Sequence, residues 1–299
     1  METILQWGID LIIAIQQVHG PVLDTIFRAI TFMGEEEFYL ILLPLLLWCV
    51  DFGLGVRVGA LFLLSTYLNF GIKDLFCQPR PFQLDPSIKL ADAEGYGLPS
   101  GHSQSAVVVW GSIAVWARKN WFWAVTISLM TLIGFSRVYL GVHFPTDVLA
   151  GWAIGAALLG LYLAVQPRVE QWLAKLNLRM HILLALAVPL LLLLIHPTED
   201  TVTSLAPLAG MGVGLGLTHR YISFSARGPW WQRVVRFLVG GVVVAGLYVG
   251  LKAVFPGEQS ALYLPFRFVR YALVGIWTTL GAPWLFTLLR LVPQVPRDT

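Results

Sequence analysis

The sequence predicts an all-α, polytopic membrane protein, and three observations lead there. Of 299 residues, 57% are hydrophobic and only 12% are charged, whereas a soluble domain carries about twice that charged fraction. Mean hydropathy is +0.72, so water is the wrong solvent for most of the surface. The charged residues gather in short clusters between long apolar runs, the pattern of successive membrane helices.

The elements follow in order. Residues 1–34 are apolar but interrupted by Asp10, Gln16, Gln17, His19, Asp24 and Arg28, with Leu5, Ile9, Ile12 and Ile13 at helical spacing. This predicts two amphipathic interfacial helices split at Gly20-Pro21, in preference to a first transmembrane helix. Apolar runs at 38–50 and 54–76 come next, followed by a polar loop at 77–98. Runs at 100–116, 121–140 and 146–165 follow, then a basic connector, then runs at 181–195, 205–217, 234–255 and 268–291. A span needs roughly 20 apolar residues, so the shorter runs borrow flanking residues or are buried in protein. The run at 210–216, with alternate glycines, lacks the strand and the Lys-Ser/Thr of a phosphate cradle. Close helix packing in lipid is its expected use.

Charge sets orientation and excludes some partners. The net charge of +3 is spread over many loops, which leaves no footprint for nucleic acid. If each run crosses once, Arg118, Lys119, the connector with Arg168, Lys175 and Arg179, the basic loop at 220–236 and Arg297 share one side. Asp85, Asp92, Glu94, Glu199, Asp200 and Glu258 share the other. The positive-inside rule makes the first side cytoplasmic, so the loops after Lys73 and around His143 face outward. Cys49 and Cys77 have no metal-ligand spacing and leave a disulfide open. No basic n-region or small-residue cleavage site opens the chain, so no cleavable signal peptide is expected.

Three clusters carry chemistry, because ionisable groups in or beside apolar spans are costly and mark function. Lys73 and Arg80 lie seven apart at the end of a span, and Pro79 and Pro81 stop the helix there. A lysine point charge and a planar arginine fork together suit a phosphate, although snorkelling anchors would read the same way. In Pro99-Ser100-Gly101-His102 a helix begins, with Ser100 as its cap. Free N–H groups at such a start bind anions, Gly101 permits close approach, and His102 can protonate a leaving oxygen. The alternative is a capped helix with an interfacial histidine. In the third cluster, Arg137 closes one span while His143 and Asp147 open the next. Asp147 can accept from His143 Nδ1, fixing the tautomer and leaving Nε2 to attack; the plainer reading is a structural pair. His19, His181, His196 and His219 lack such partners and read as interfacial or structural.

These residues resemble the type 2 phosphatidic acid phosphatase superfamily of lipid phosphate phosphatases. Its signature is Lys-x6-Arg-Pro, Pro-Ser-Gly-His and Ser-Arg-x5-His-x3-Asp, and all three parts occur here in order within 35–165. The stretch from Gly34 through Glu35, Glu36 and Glu37, with Pro44 and Trp48, also resembles bacterial relatives of sphingosine-1-phosphate phosphatases. The resemblance implies a phosphatase helical-bundle core at 35–166, preceded by interfacial helices at 1–34. A C-terminal extension of about four transmembrane helices, of unassigned role, would occupy 167–299. It implies that Lys73, Arg80, Ser100, Gly101 and Arg137 bind the phosphate. His143 would form the phosphohistidine, Asp147 would orient it, and His102 would protonate the leaving alcohol. No metal and no cofactor are implied. The expected partners are the bilayer and a lipid phosphate: phosphatidic acid, phosphatidylglycerol phosphate, a polyprenyl diphosphate or a sphingoid-base phosphate. A lipid carrier on the same scaffold is the alternative, and haloperoxidase-like oxidation a third reading. The expected location is a bacterial inner membrane, with the site facing the periplasm or exterior.

Overall fold

Apolar runs punctuated by Gly, Pro and charge become helices in the computed structural model, which describes residues 2–293; among these residues there is no strand. Arg297, one of the basic residues used for orientation, lies outside the described residues. Among the described residues, seven stretches are long and apolar enough to cross a membrane: Phe52–Leu84, Asn120–Tyr139, Pro145–Leu173, Leu178–Ile195, Glu199–Tyr221, Trp230–Val254 and Tyr263–Leu288. The last four make up the expected C-terminal set. The protein is thus an integral membrane protein. Exposed side chains such as Leu191, Leu194 and Val254 have lipid as their natural solvent.

The chain divides into two compact units, one of residues 1–40 and 68–165, the other of 41–67 and 166–299. The first holds the signature residues. Its helices are α1 (Glu2–Gln16), α2 (Pro21–Phe32), the start of α3 (Glu36–Leu45), the end of α4 (Phe52–Phe76), short α5 (Pro81–Leu84), α6 (Gly101–Ala117), α7 (Asn120–Tyr139) and most of α8 (Pro145–Leu173). Pro21 opens α2 at a position where its missing N–H costs nothing. The two N-terminal helices pack within this unit through polar contacts. Gln16 Nε2 donates to the carbonyls of Ile88 (2.9 Å) and Tyr139 (2.7 Å), and Tyr139 Oη donates to Asp24 (2.6 Å). Arg28 donates to the Leu90 carbonyl at 2.6 Å. Around these bonds Ile12, Ile88, Val138 and Val148 form one buried cluster, held by close packing. Gly151 and Gly155 let α8 lie against the start of α6: a Cβ would sit 2.6 Å from the Ser100 carbonyl oxygen and 2.8 Å from that of Gln104.

In the second unit, α9 (Leu178–Ile195) and α10 (Glu199–Tyr221) are followed by α11 (Trp230–Val254), α12 (Tyr263–Ile276), a π turn and α13 (Ala282–Leu288). Asn177 caps α9, and Thr198 with Thr201 caps α10 reciprocally. The glycine run lies inside α10 as a packing face. A Cβ on Gly210 would overlap the Ala272 carbonyl, and one on Gly214 would overlap the Thr279 hydroxyl. Trp48 Nε1 donates to the Thr278 carbonyl (2.9 Å), and Arg57 forms a two-pronged pair with Glu170 (2.8 and 2.9 Å). Cys49 and Cys77 are both free thiols.

Candidate active site

Five helix ends in the first unit supply the site. At the end of α4, Lys73 occupies the last turn; the chain then runs without regular structure to Arg80, the residue before α5. Ser100 caps α6, its Oγ accepting from Ser103 N (3.4 Å) and Ser103 Oγ (3.0 Å). The first amides of the helix, which have no partner within it, begin at Gly101. Arg137 sits in the last turn of α7 and Asp147 in the first turn of α8. The turn between them requires Gly141: its φ is +71°, and a Cβ there would overlap the Ile88 carbonyl.

His143 and Asp147 are buried side by side. Asp147 Oδ2 lies 3.2 Å from His143 Nδ1 and accepts from Phe144 N at 2.9 Å, while Oδ1 accepts from Gln78 Nε2 at 2.7 Å. A carboxylate fixed from three directions favours the tautomer with the proton on Nδ1 and the lone pair on Nε2. Arg80 NH1 lies 3.1 Å from that Nε2. The rest of its guanidinium is anchored on backbone carbonyls: Val142 (2.9 Å), Gly95 (2.9 Å) and Glu94 (2.6 Å). Arg80 thus ties the 77–98 loop to the histidine. Burial, followed by the charges of Arg80, Arg137 and Lys73, holds the His143 imidazole well below its ordinary value, which favours its neutral form.

Arg137 and His102 meet through a residue absent from the expected set. Glu35, in the turn between α2 and α3, places Oε1 3.1 Å from His102 Nε2 and 3.4 Å from Arg137 NH1. Arg137 NH1 also donates to Thr31 Oγ1 at 2.7 Å, while its buried Nε has no protein partner. An arginine so placed keeps donors for an anion. Burial raises the Glu35 carboxyl, but contact with His102 and the charges of His102 and Arg137 outweigh it, and the net shift is downward. Lys73 is near enough for its charge to bear on both histidines. Gly101 backs onto Asn69, whose Oδ1 would lie 3.2 Å from an added Cβ, and Asn69 is held by Gln104 at 2.9 Å.

The structure therefore joins His143, Asp147 and Arg80 directly and His102 with Arg137 through Glu35. Sequence reasoning did not single out Glu35, Thr31 or Gln78 for the site. An acidic residue beside an apolar run was the available signal for Glu35. A cavity of about 390 Å³, lined by Arg28, Thr31, Glu35, Lys89, Asp92 and Arg137 among others, opens beside this pair.

The model of the PAP2 superfamily matches residues 54–171, and that of the PAP2 superfamily phosphatase transmembrane extension matches residues 202–294. Lipid phosphate phosphatase delta of Arabidopsis thaliana is 31% identical over 56% of this chain and 44% of its own, so less than half of that relative is spanned. Sphingosine-1-phosphate phosphatase 2 of Mus musculus is 25% identical over 89% of this chain and 88% of its own. Among solved structures, the transmembrane PAP2-type phosphatidylglycerolphosphate phosphatase from Bacillus subtilis superposes with a TM-score of 0.51 and 26% identity. That match covers 56% of this chain and 89% of the Bacillus chain.

Proposed function

The chain carries a PAP2 superfamily domain with the PAP2 transmembrane extension, and from that premise we propose that it is a lipid phosphate phosphatase working through a phosphohistidine on His143. The observation that carries this reading is the histidine held at both nitrogens, Nδ1 at 3.2 Å from Asp147 and Nε2 at 3.1 Å from Arg80. A neutral imidazole with its lone pair beside a guanidinium is arranged to meet a phosphoryl group.

The substrate phosphate enters among Lys73, Arg80, Arg137 and the first turn of α6 at Ser100 and Gly101. These groups neutralise charge on its equatorial oxygens. Nε2 of His143 forms a bond to phosphorus as the bond from phosphorus to the lipid oxygen breaks. His102 gives that oxygen a proton. Water then attacks phosphorus, His102 takes back a proton, and the electron pair returns to Nε2. Asp147 stabilises the charge that appears on His143 in between. We assign this chemistry to residues 35–166.

The candidate substrates are phosphatidic acid, phosphatidylglycerol phosphate, a polyprenyl diphosphate and a sphingoid-base phosphate. Similarity to the mouse sphingosine-1-phosphate phosphatase over most of both chains supports testing the sphingoid-base phosphate first. The basic connector after α8 supports a cytoplasmic placement there, and with it our reading that the site faces the periplasm or exterior of a bacterial inner membrane. Phosphate release by the purified protein, measured over a panel of these lipids, tests the function. Turnover that His143→Ala abolishes is the expected result. Full activity in His143→Ala would refute the nucleophile, and binding of lipid phosphates without turnover would favour the carrier.

A further inference from the structure

We propose that Glu35 is a positioning residue for phosphoryl transfer, orienting His102 as the leaving-group acid and supplying a counter-charge to its protonated form while it fixes Arg137. The proposal rests on the phosphatase reading above.

The geometry is specific. Glu35 Oε1 touches both His102 Nε2 (3.1 Å) and Arg137 NH1 (3.4 Å). The backbone is brought there by Gly34: a Cβ at that position would come within 2.9 Å of both His102 Cδ2 and Ile133. A side chain at 34 would push the turn, and Glu35 with it, away from the imidazole. Charge makes the carboxylate necessary. His102 is mostly buried; burial, then the charges of Arg137 from α7 and Lys73 from α4, lower its imidazole, and Glu35 from the α2–α3 turn pulls it back up without outweighing them. His143, from the turn before α8, also senses its charge. An imidazolium among two cations in a poorly solvated site needs a counter-charge, and a buried charge without one is strongly disfavoured. Glu35 supplies it in direct contact. With Nε2 set 3.1 Å from Glu35 Oε1 as an ion-pair contact outside hydrogen-bond geometry, Nδ1 is left to carry the exchanged proton. Nδ1–H goes to the lipid oxygen as the bond from phosphorus to oxygen breaks, and Nδ1 later accepts a proton from the attacking water. Glu35 stays ionised throughout.

The leaving group separates this role from a structural one. An alkoxide needs a proton to depart, whereas p-nitrophenolate does not. We would compare the full-length protein with Glu35→Gln and Glu35→Asp on dioctanoyl phosphatidic acid and on p-nitrophenyl phosphate. Glu35→Gln is expected to lower kcat on the alkyl ester by about 10²-fold and on the aryl ester by less than about threefold, with KM nearly unchanged. Its alkaline limb on the alkyl ester is expected to move to lower pH, because the acid form of His102 has lost its counter-charge. Glu35→Asp keeps the charge at a longer reach, and is expected to show a smaller loss with the same preference. Either variant decides the matter if the other fails to fold. Equal loss on both esters, or no loss on either, would overturn the proposal. Wild-type protein that turns over neither probe while binding both would instead refute the phosphatase reading, and Glu35 with it.

Discussion

Replacing Asp147 by Asn tests whether the carboxylate selects the attacking form of His143. The two side chains have nearly the same shape, so packing around this fully buried position is preserved. The hydrogen bonds are not. Asp147 accepts from Phe144 N (2.9 Å) and Gln78 Nε2 (2.7 Å) and faces His143 Nδ1 at 3.2 Å. An amide offers one oxygen and one NH2 to three donors, so one orientation sets NH2 against Gln78 and the other sets it against His143. In the latter the imidazole turns its lone pair to Nδ1 and its proton to Nε2, where Arg80 NH1 is already a donor at 3.1 Å. A hydrogen bond to a charged group contributes about 1.5–3 kcal/mol, which is about 10- to 150-fold in the population of the attacking tautomer. Loss of negative charge beside the phosphohistidine adds to this. The expected outcome is a fall in kcat of about 10²-fold or more with KM changed less than about threefold, because the carboxylate acts through the histidine and leaves the phosphate ligands in place. Steady-state phosphate release with a lipid phosphate, together with a single-turnover measurement of phosphoenzyme formation, reads both steps. Asp147→Asn with more than about a third of the wild-type kcat would refute the tautomer argument.

The depressed His143 fixes the sign of the pH dependence. In the proposed mechanism its neutral form attacks, and burial with the surrounding cations keeps it neutral to lower pH than an ordinary histidine. The rate on p-nitrophenyl phosphate should therefore hold as pH falls from neutrality and decline only below about 6.5; an acid break above that value contradicts the assignment. Gly141→Ala tests the turn before His143. The positive φ and the overlap with the Ile88 carbonyl predict a loss of about 1–3 kcal/mol, seen as a lower thermal midpoint in detergent, and an unchanged midpoint would count against it.

What could be read along the chain was whatever is local. Ser100 as a cap and the four-residue step from His143 to Asp147 depend only on helix geometry within a turn or two, and both appear in the structure. The spans were legible because lipid demands long apolar runs whatever the topology. The four helices after residue 177 follow from that demand alone. Contacts between distant segments carried no such mark. Gln78 reaches Asp147 across 69 positions, Arg137 reaches Thr31 across 106, and Gln16 reaches Tyr139 across 123. Arg80 read as a phosphate ligand, and it is also the clasp that holds carbonyls 94, 95 and 142 around His143. Glu35 read as one of three successive acids; packing at Gly34 selects it as the one that touches His102. Composition and spacing thus determined the helices, the membrane and the candidate reacting residues. Tertiary packing decided which polar groups hold those residues, because a buried charge takes its partner from whichever helix end the fold brings within hydrogen-bond reach.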